Sequence, residues 1–84
     1  MQCPIKTMRK IKRHTQDDVA RYLRVSPSTV WRWEHNEMMP TPENFLYIAE
    51  YLELSVERAI RLWVEWSKRD KGESVEEFLM RLEG

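Results

Sequence analysis

Nine consecutive residues, Ser26-Pro27-Ser28-Thr29-Val30-Trp31-Arg32-Trp33-Glu34, carry the groups best suited to recognition chemistry. If they form a helix with Val30 and Trp33 turned inward, residues 27, 28, 29, 31 and 32 turn outward. Arg32 is the most selective of these. Its planar guanidinium can donate two parallel hydrogen bonds to a matched pair of acceptors such as guanine O6 and N7, and that discriminates by about 1–3 kcal/mol. The Ser28 hydroxyl makes a single, weaker and less selective bond. Pro27 donates nothing and is restricted to apolar contact, for instance with a thymine methyl. No catalytic constellation accompanies them. His14 and His35 lack the spaced cysteines or paired acids of a metal site. The chain has no glycine-rich phosphate loop and no nucleophile elbow. Neither an enzyme nor a metal or other cofactor is expected.

An outward face of this kind needs a brace behind it. Residues 15 to 36 read as two short helices joined by a tight turn. Thr15 can N-cap the first, with Asp17 and Asp18 in the first turn where the helix dipole favours negative charge. Ser26 can N-cap the second, and Pro27 follows at the position where a missing N–H costs nothing. Val19, Ala20 and Leu23 give the first of the two an inward face, and Arg24-Val25 makes the turn with Val25 as the apolar plug beneath it. This is the layout of a helix-turn-helix unit, in which the first helix braces the second and the second is offered to a DNA major groove.

Around it the periodicity predicts further helices. Residues 1 to 4 read as a loose end, followed by a helix over Ile5 to Arg13 with Ile5, Met8 and Ile11 inward. His14 reads as a helix-end residue. Asn36 closes the recognition helix, since asparagine tolerates a left-handed C-terminal position. Thr41 and Pro42 open a fourth helix with Phe45, Ile48, Ala49 and Leu52 as its core stripe. A fifth begins at Ser55 and runs to about residue 70, with Val56, Ala59, Ile60 and Trp63 on its apolar period. Ser74 and Glu77 form a capping box for a short sixth helix striped by Val75, Phe78, Leu79 and Leu82.

Composition bounds the rest. Eighty-four residues allow one small core. A single cysteine, Cys3, excludes an internal disulfide, and with the lack of an apolar membrane-length run or signal peptide it fits a cytoplasmic protein. The formal net charge is zero, but it is unevenly spread: residues 1–36 hold eight Lys/Arg against three Asp/Glu, and residues 37–84 hold six against eleven. One basic and one acidic region result, as a chain with a polyanion-facing end would show, although two solvated faces of opposite bias would look the same.

The stretch TQDDVARYLRVSPSTVWRWEHN resembles the Cro/C1-type helix-turn-helix proteins, the XRE family, and the similarity continues through Pro40 and NFLYIAEYLELSVE, covering roughly residues 5 to 60. The resemblance implies an all-α fold: a compact five-helix, repressor-like helix-turn-helix domain over residues 1–60. Residues 61–84 would be a helical extension. It also implies sequence-specific binding to a double-stranded DNA operator through helix 27–35, and repression as a homodimer. In that family's terms Pro27, Ser28 and Arg32 take positions that meet base edges, and Thr29 meets a base or a phosphate. Gln16 contacts a phosphate and Asn44 can reach one. Arg9 either braces Glu34 or touches the DNA backbone. Trp31, at a position usually small or polar, packs along the backbone or a thymine methyl, or else covers Met38 and Met39.

Several departures matter. Arg13-His14 and Arg24 stand where the family favours glycine. At Arg24 a left-handed conformation should cost about 1 kcal/mol. The loop Glu37-Met38-Met39 lacks the family's phosphate-reaching cations, so its backbone grip should be weaker. In the tail, Trp63, Trp66, Phe78, Leu79 and Leu82 exceed what one five-helix core needs. They form a dimer seam or partner surface, or the last helix folds back on the monomer. The rival functions are the antitoxin of a toxin–antitoxin pair, its tail holding a toxin, and a protein-interaction module that has lost DNA. STVWRW also resembles the recognition helix of excisionase-type binders, whose β-wing should follow, whereas NFLYIAEYL reads as a helix.

Overall fold

The computed structural model describes residues 2–71, which form five helices and, among the described residues, no strand: α1 Pro4–Ile11, α2 Gln16–Leu23, α3 Pro27–Glu34, α4 Pro42–Leu52 and α5 Val56–Lys71. Directly after the recognition helix, residues 42–52 form α4 in place of the β-wing that the excisionase reading needs there. The expected sixth helix, with Phe78, Leu79 and Leu82, lies outside the described residues. None of the helices among the described residues is long and apolar enough to cross a membrane.

Each start is chemically marked. The Thr15 hydroxyl accepts the Asp18 N–H at 3.1 Å and the Asp18 carboxylate accepts the Thr15 N–H at 2.9 Å, a reciprocal capping box. The Thr15 N–H, followed by the Thr15 side chain, holds the Asp18 carboxyl below its ordinary range by hydrogen bonding to the charged form. Ser26 accepts the Thr29 N–H at 3.2 Å, and Thr41 accepts that of Asn44 at 3.2 Å. Pro27 and Pro42 open α3 and α4, where their fixed φ is already helical.

The ends are less ordinary. Four helices stop at a residue of positive φ, and none of the four is glycine: Arg13 (60°), Arg24 (58°), Asn36 (56°) and Glu53 (59°). Each turn is closed by a pair of backbone bonds. After α1, His14 N–H reaches Arg9 O at 2.7 Å and Arg13 N–H reaches Lys10 O at 3.1 Å. The first helix therefore stops at Ile11, two residues before the expected Arg13. Ile11 is not an inward residue but 70% exposed. The reason is geometric: steps of three residues drift by about 60° each, so two steps carry Ile11 off the face that holds Ile5. Its place is taken at the other end. Cys3 and Pro4 are not a loose end but buried, and burial pushes the Cys3 thiol up to about 12.

The core is aromatic and centred on Trp63. Trp33 of α3, Phe45 of α4 and Trp66 of α5 each meet Trp63 edge to face, with centroids 6.1, 5.8 and 5.8 Å away. Such pairs add about 0.5–1.5 kcal/mol each beyond the area they bury. Trp63 (0% exposed) and Trp66 (3%) were expected at a dimer or partner surface; they belong instead to this core. α5 also runs unbroken through residues 60 and 61, so the first part of the expected C-terminal extension packs as one body with the helix-turn-helix.

Candidate nucleic-acid interface

α2 and α3 pack against each other and on the core through Val19, Ala20 and Leu23 from α2 and Val30 and Trp33 from α3, all at most 2% exposed. Val25, under the turn, is partly buried against the same cluster. This packing fixes which side of α3 faces out. Pro27, Ser28, Trp31 and Arg32 are exposed and Thr29 is half-buried. Among the described residues the Arg32 guanidinium has no hydrogen-bond or ion-pair partner, so its five donors are available to an outside ligand. Ser28 and Thr29 are oriented from behind: their hydroxyls lie 3.1 and 2.8 Å from the Ser26 hydroxyl that caps the helix.

Glu34 lies on the inner side of α3, with 1% of its side chain exposed, and receives three donors. Arg9 holds it in a fork, Nε to Oε2 at 2.7 Å and Nη2 to Oε1 at 3.0 Å. Gln16 Nε2 donates to Oε1 at 3.1 Å. The carboxylate thus ties α1, the start of α2 and the end of α3 together, and its hydrogen bond raises the Arg9 pKa above the ordinary value. Of the two roles the sequence left open for Arg9, the structure displays the brace. The Gln16 amide uses one of its two N–H groups on Glu34 and keeps the other for a ligand.

Within the protein, the one position foreseen for Trp31 was over Met38 and Met39; it packs elsewhere. Met38 and Met39 stay 37% and 42% exposed, and Trp31, 43% exposed, stacks on His35 at 3.8 Å between centroids and 20° between planes. His35 Nδ1 lies 2.8 Å from the Trp31 carbonyl oxygen. The spacing of four residues along one helix is the signal in the sequence for this pair. His14 closes α1 with its main chain, as expected of a helix-end residue, and places Nδ1 2.8 Å from the Tyr51 hydroxyl.

The far flank is α4. The Asn44 amide oxygen is spent on its capping box, accepting Thr41 N–H at 3.3 Å and the Thr41 hydroxyl at 2.8 Å, so only its NH2 group can face a phosphate. Glu37, Met38 and Met39 before it are exposed and bring no cation. Asn36 adopts the left-handed conformation foreseen for it and anchors the loop by donating to Ser67 O at 3.1 Å.

Between α1, the N-terminus of α2 and the C-terminus of α3 is an open notch of about 600 Å³. It is lined by Lys6, Arg9, His14, Thr15, Gln16, Asp17, Trp31, Glu34 and His35. The N-terminus of α2 at its edge is the feature suited to an anion, while Lys6 and Arg9 stand against Asp17 and Glu34 in formal charge. Among the described residues no group of three His, Cys, Asp or Glu is placed to hold a metal.

The helix-turn-helix family model matches residues 5–58, the span from the start of α1 into α5. No curated protein and no solved structure matches the chain. The match covers more than half of the sequence and contains α2 and α3 whole. The chain belongs to the Cro/C1-type helix-turn-helix family, the XRE family of DNA-binding transcription regulators.

Proposed function

We propose that this protein is a transcriptional repressor that binds a double-stranded DNA operator as a homodimer, with α3 in the major groove. The observation that carries the reading is the outward face of α3. Pro27, Ser28, Trp31 and Arg32 are exposed on a helix whose other face is wholly buried, and Arg32 has no partner within the described residues. A helix of this width fits the major groove of B-DNA, and an unpaired arginine at its surface can reach a guanine edge with both forks. Gln16 on one flank and Asn44 on the other each retain an N–H for phosphate, which sets the register of the helix without reading sequence. Arg9 supports this indirectly, by holding Glu34 and hence Gln16.

Dimerisation follows from the need to engage two half-sites about one helical turn apart. With Trp63 and Trp66 inside the core, the stripe of Phe78, Leu79 and Leu82 is the remaining sequence signal for a seam. A second reading, a protein-interaction module or an antitoxin holding a toxin, draws support from exposed Met38 and Met39 in the loop that lacks cations. The two readings separate when duplexes are selected from a random pool at near-physiological salt. An enriched inverted repeat is the expected result. No enrichment from folded protein would overturn the DNA reading and turn the search to a protein partner.

A further inference from the structure

We infer that His35 is a contact to the DNA phosphate backbone that forms only when its imidazole is protonated; the inference rests on the DNA-binding reading above. His35 Nδ1 lies 2.8 Å from the Trp31 carbonyl oxygen. A carbonyl oxygen only accepts, so Nδ1 carries a proton. In the neutral ring Nε2 is then a bare acceptor and has nothing to give a phosphate oxygen. In the imidazolium Nε2 carries a proton as well, and the ring donates a charge-assisted bond. The ring is held in this orientation by its stack on Trp31, 3.8 Å between centroids.

The location fits a phosphate. His35 lines the same notch as Gln16 and the first turn of α2, the edge that faces the DNA backbone when α3 enters the groove. The charged and titratable groups facing it are Lys6 and Arg9 from α1, His14 and Asp17 from the turn and start of α2, and Glu34 from α3. Arg9 and Glu34 cancel through their forked bond, and Lys6 and Asp17 are one of each sign. The notch is therefore balanced in formal charge while both histidines are neutral. A proton on His35 makes it positive at the atom that would meet the phosphate.

The test uses the full chain and a fluorescent duplex chosen from the random pool, titrated by anisotropy at about pH 5.5 and about pH 8, on either side of the histidine range, over a series of salt concentrations. Wild type should bind about tenfold tighter at the lower pH, the size expected of one charge-assisted bond. Its plot of log affinity against log salt should steepen there by about 0.9, the value of one added phosphate contact. His35→Phe, which keeps an aromatic ring for Trp31 and carries no donor, should lose both effects and bind at the higher pH as wild type does there. His35→Arg should bind at the higher pH as tightly as wild type does at the lower, and His14→Gln should titrate like wild type. Wild-type binding that ignores pH, or an acid gain that survives His35→Phe or disappears with His14→Gln, overturns the proton-gated contact and leaves DNA binding standing. A wild-type protein that binds no duplex at either pH overturns both.

Discussion

Trp31 and Trp33 stand two residues apart on α3 and belong to different parts of the molecule. Trp33 is fully buried and meets Trp63 edge to face at 6.1 Å, joining α3 to α5. Trp31 is 43% exposed and stacks on His35 of its own helix end. The inward side of α3 is accounted for by packing: Val30 and Trp33 fill space, and Glu34 is there to be gripped by Arg9 and Gln16. The outward side is not accounted for by the fold at all. Pro27, Trp31 and Arg32 hold nothing in the core. An eight-residue helix with one face fully employed and the other unemployed within the protein is what the proposed reading surface requires.

That contrast can be broken by mutation. The largest effect should come from Trp33→Ala, which removes a buried aromatic and leaves a cavity, at about 3–5 kcal/mol in denaturant unfolding. Trp31→Ala should cost less than about 1 kcal/mol of stability and should be felt in DNA affinity instead. Equal stability losses from the two would erase the distinction between the faces. Glu34→Ala comes next, because it strands Arg9 and frees Gln16. Removing one partner of a fully buried pair costs about 3–5 kcal/mol. Arg9 keeps 16% of its side chain in solvent, so about 2 kcal/mol is expected, together with weaker binding to every duplex. Arg32→Ala should leave the melting temperature unchanged and relax selectivity at one base pair by about 1–3 kcal/mol. Gln16→Ala should weaken all sequences alike, which competition binding with single-base variants would separate from the Arg32 effect. The smallest change should be a gain. Arg24→Gly relieves a left-handed residue with a Cβ, and about 0.5–1 kcal/mol should remain after the added freedom of the unfolded chain is subtracted.

Much of this architecture could be read before any coordinates, and the reason is local. Helix starts are written in single residues: Thr15, Ser26-Pro27 and Thr41-Pro42 cap where their types require, because the cap bonds reach only three residues along. The stripes Val19/Ala20/Leu23 and Phe45/Ile48/Ala49/Leu52 follow from helical periodicity alone, and all seven are buried. Helix ends were harder. Arg13 and Glu53 turn the chain in a conformation usually given to glycine, and neither residue type announces it. The tail residues Trp63 and Trp66 were misplaced for a different reason. Periodicity says that a residue is apolar and on one face, but not whether that face meets its own domain or another molecule. Gln16 is the site's instructive case. Its resemblance to a phosphate contact gave it a role outside the protein, while its bond to Glu34 is long-range in sequence and visible only once α2 and α3 are packed.

On the proposal above, DNA meets the outward face of α3 and the notch beside it. The most direct measurement is the pattern of backbone amide shift changes in isotope-labelled protein as a selected duplex is added. The largest changes should fall at Gln16 and through residues 27 to 35, with smaller ones near Asn44 and little change at Trp63 or Trp66 in the core. Changes concentrated instead on the apolar hollow between α1 and α5, at Met8, Leu54 and Leu62, with α3 undisturbed, would contradict it.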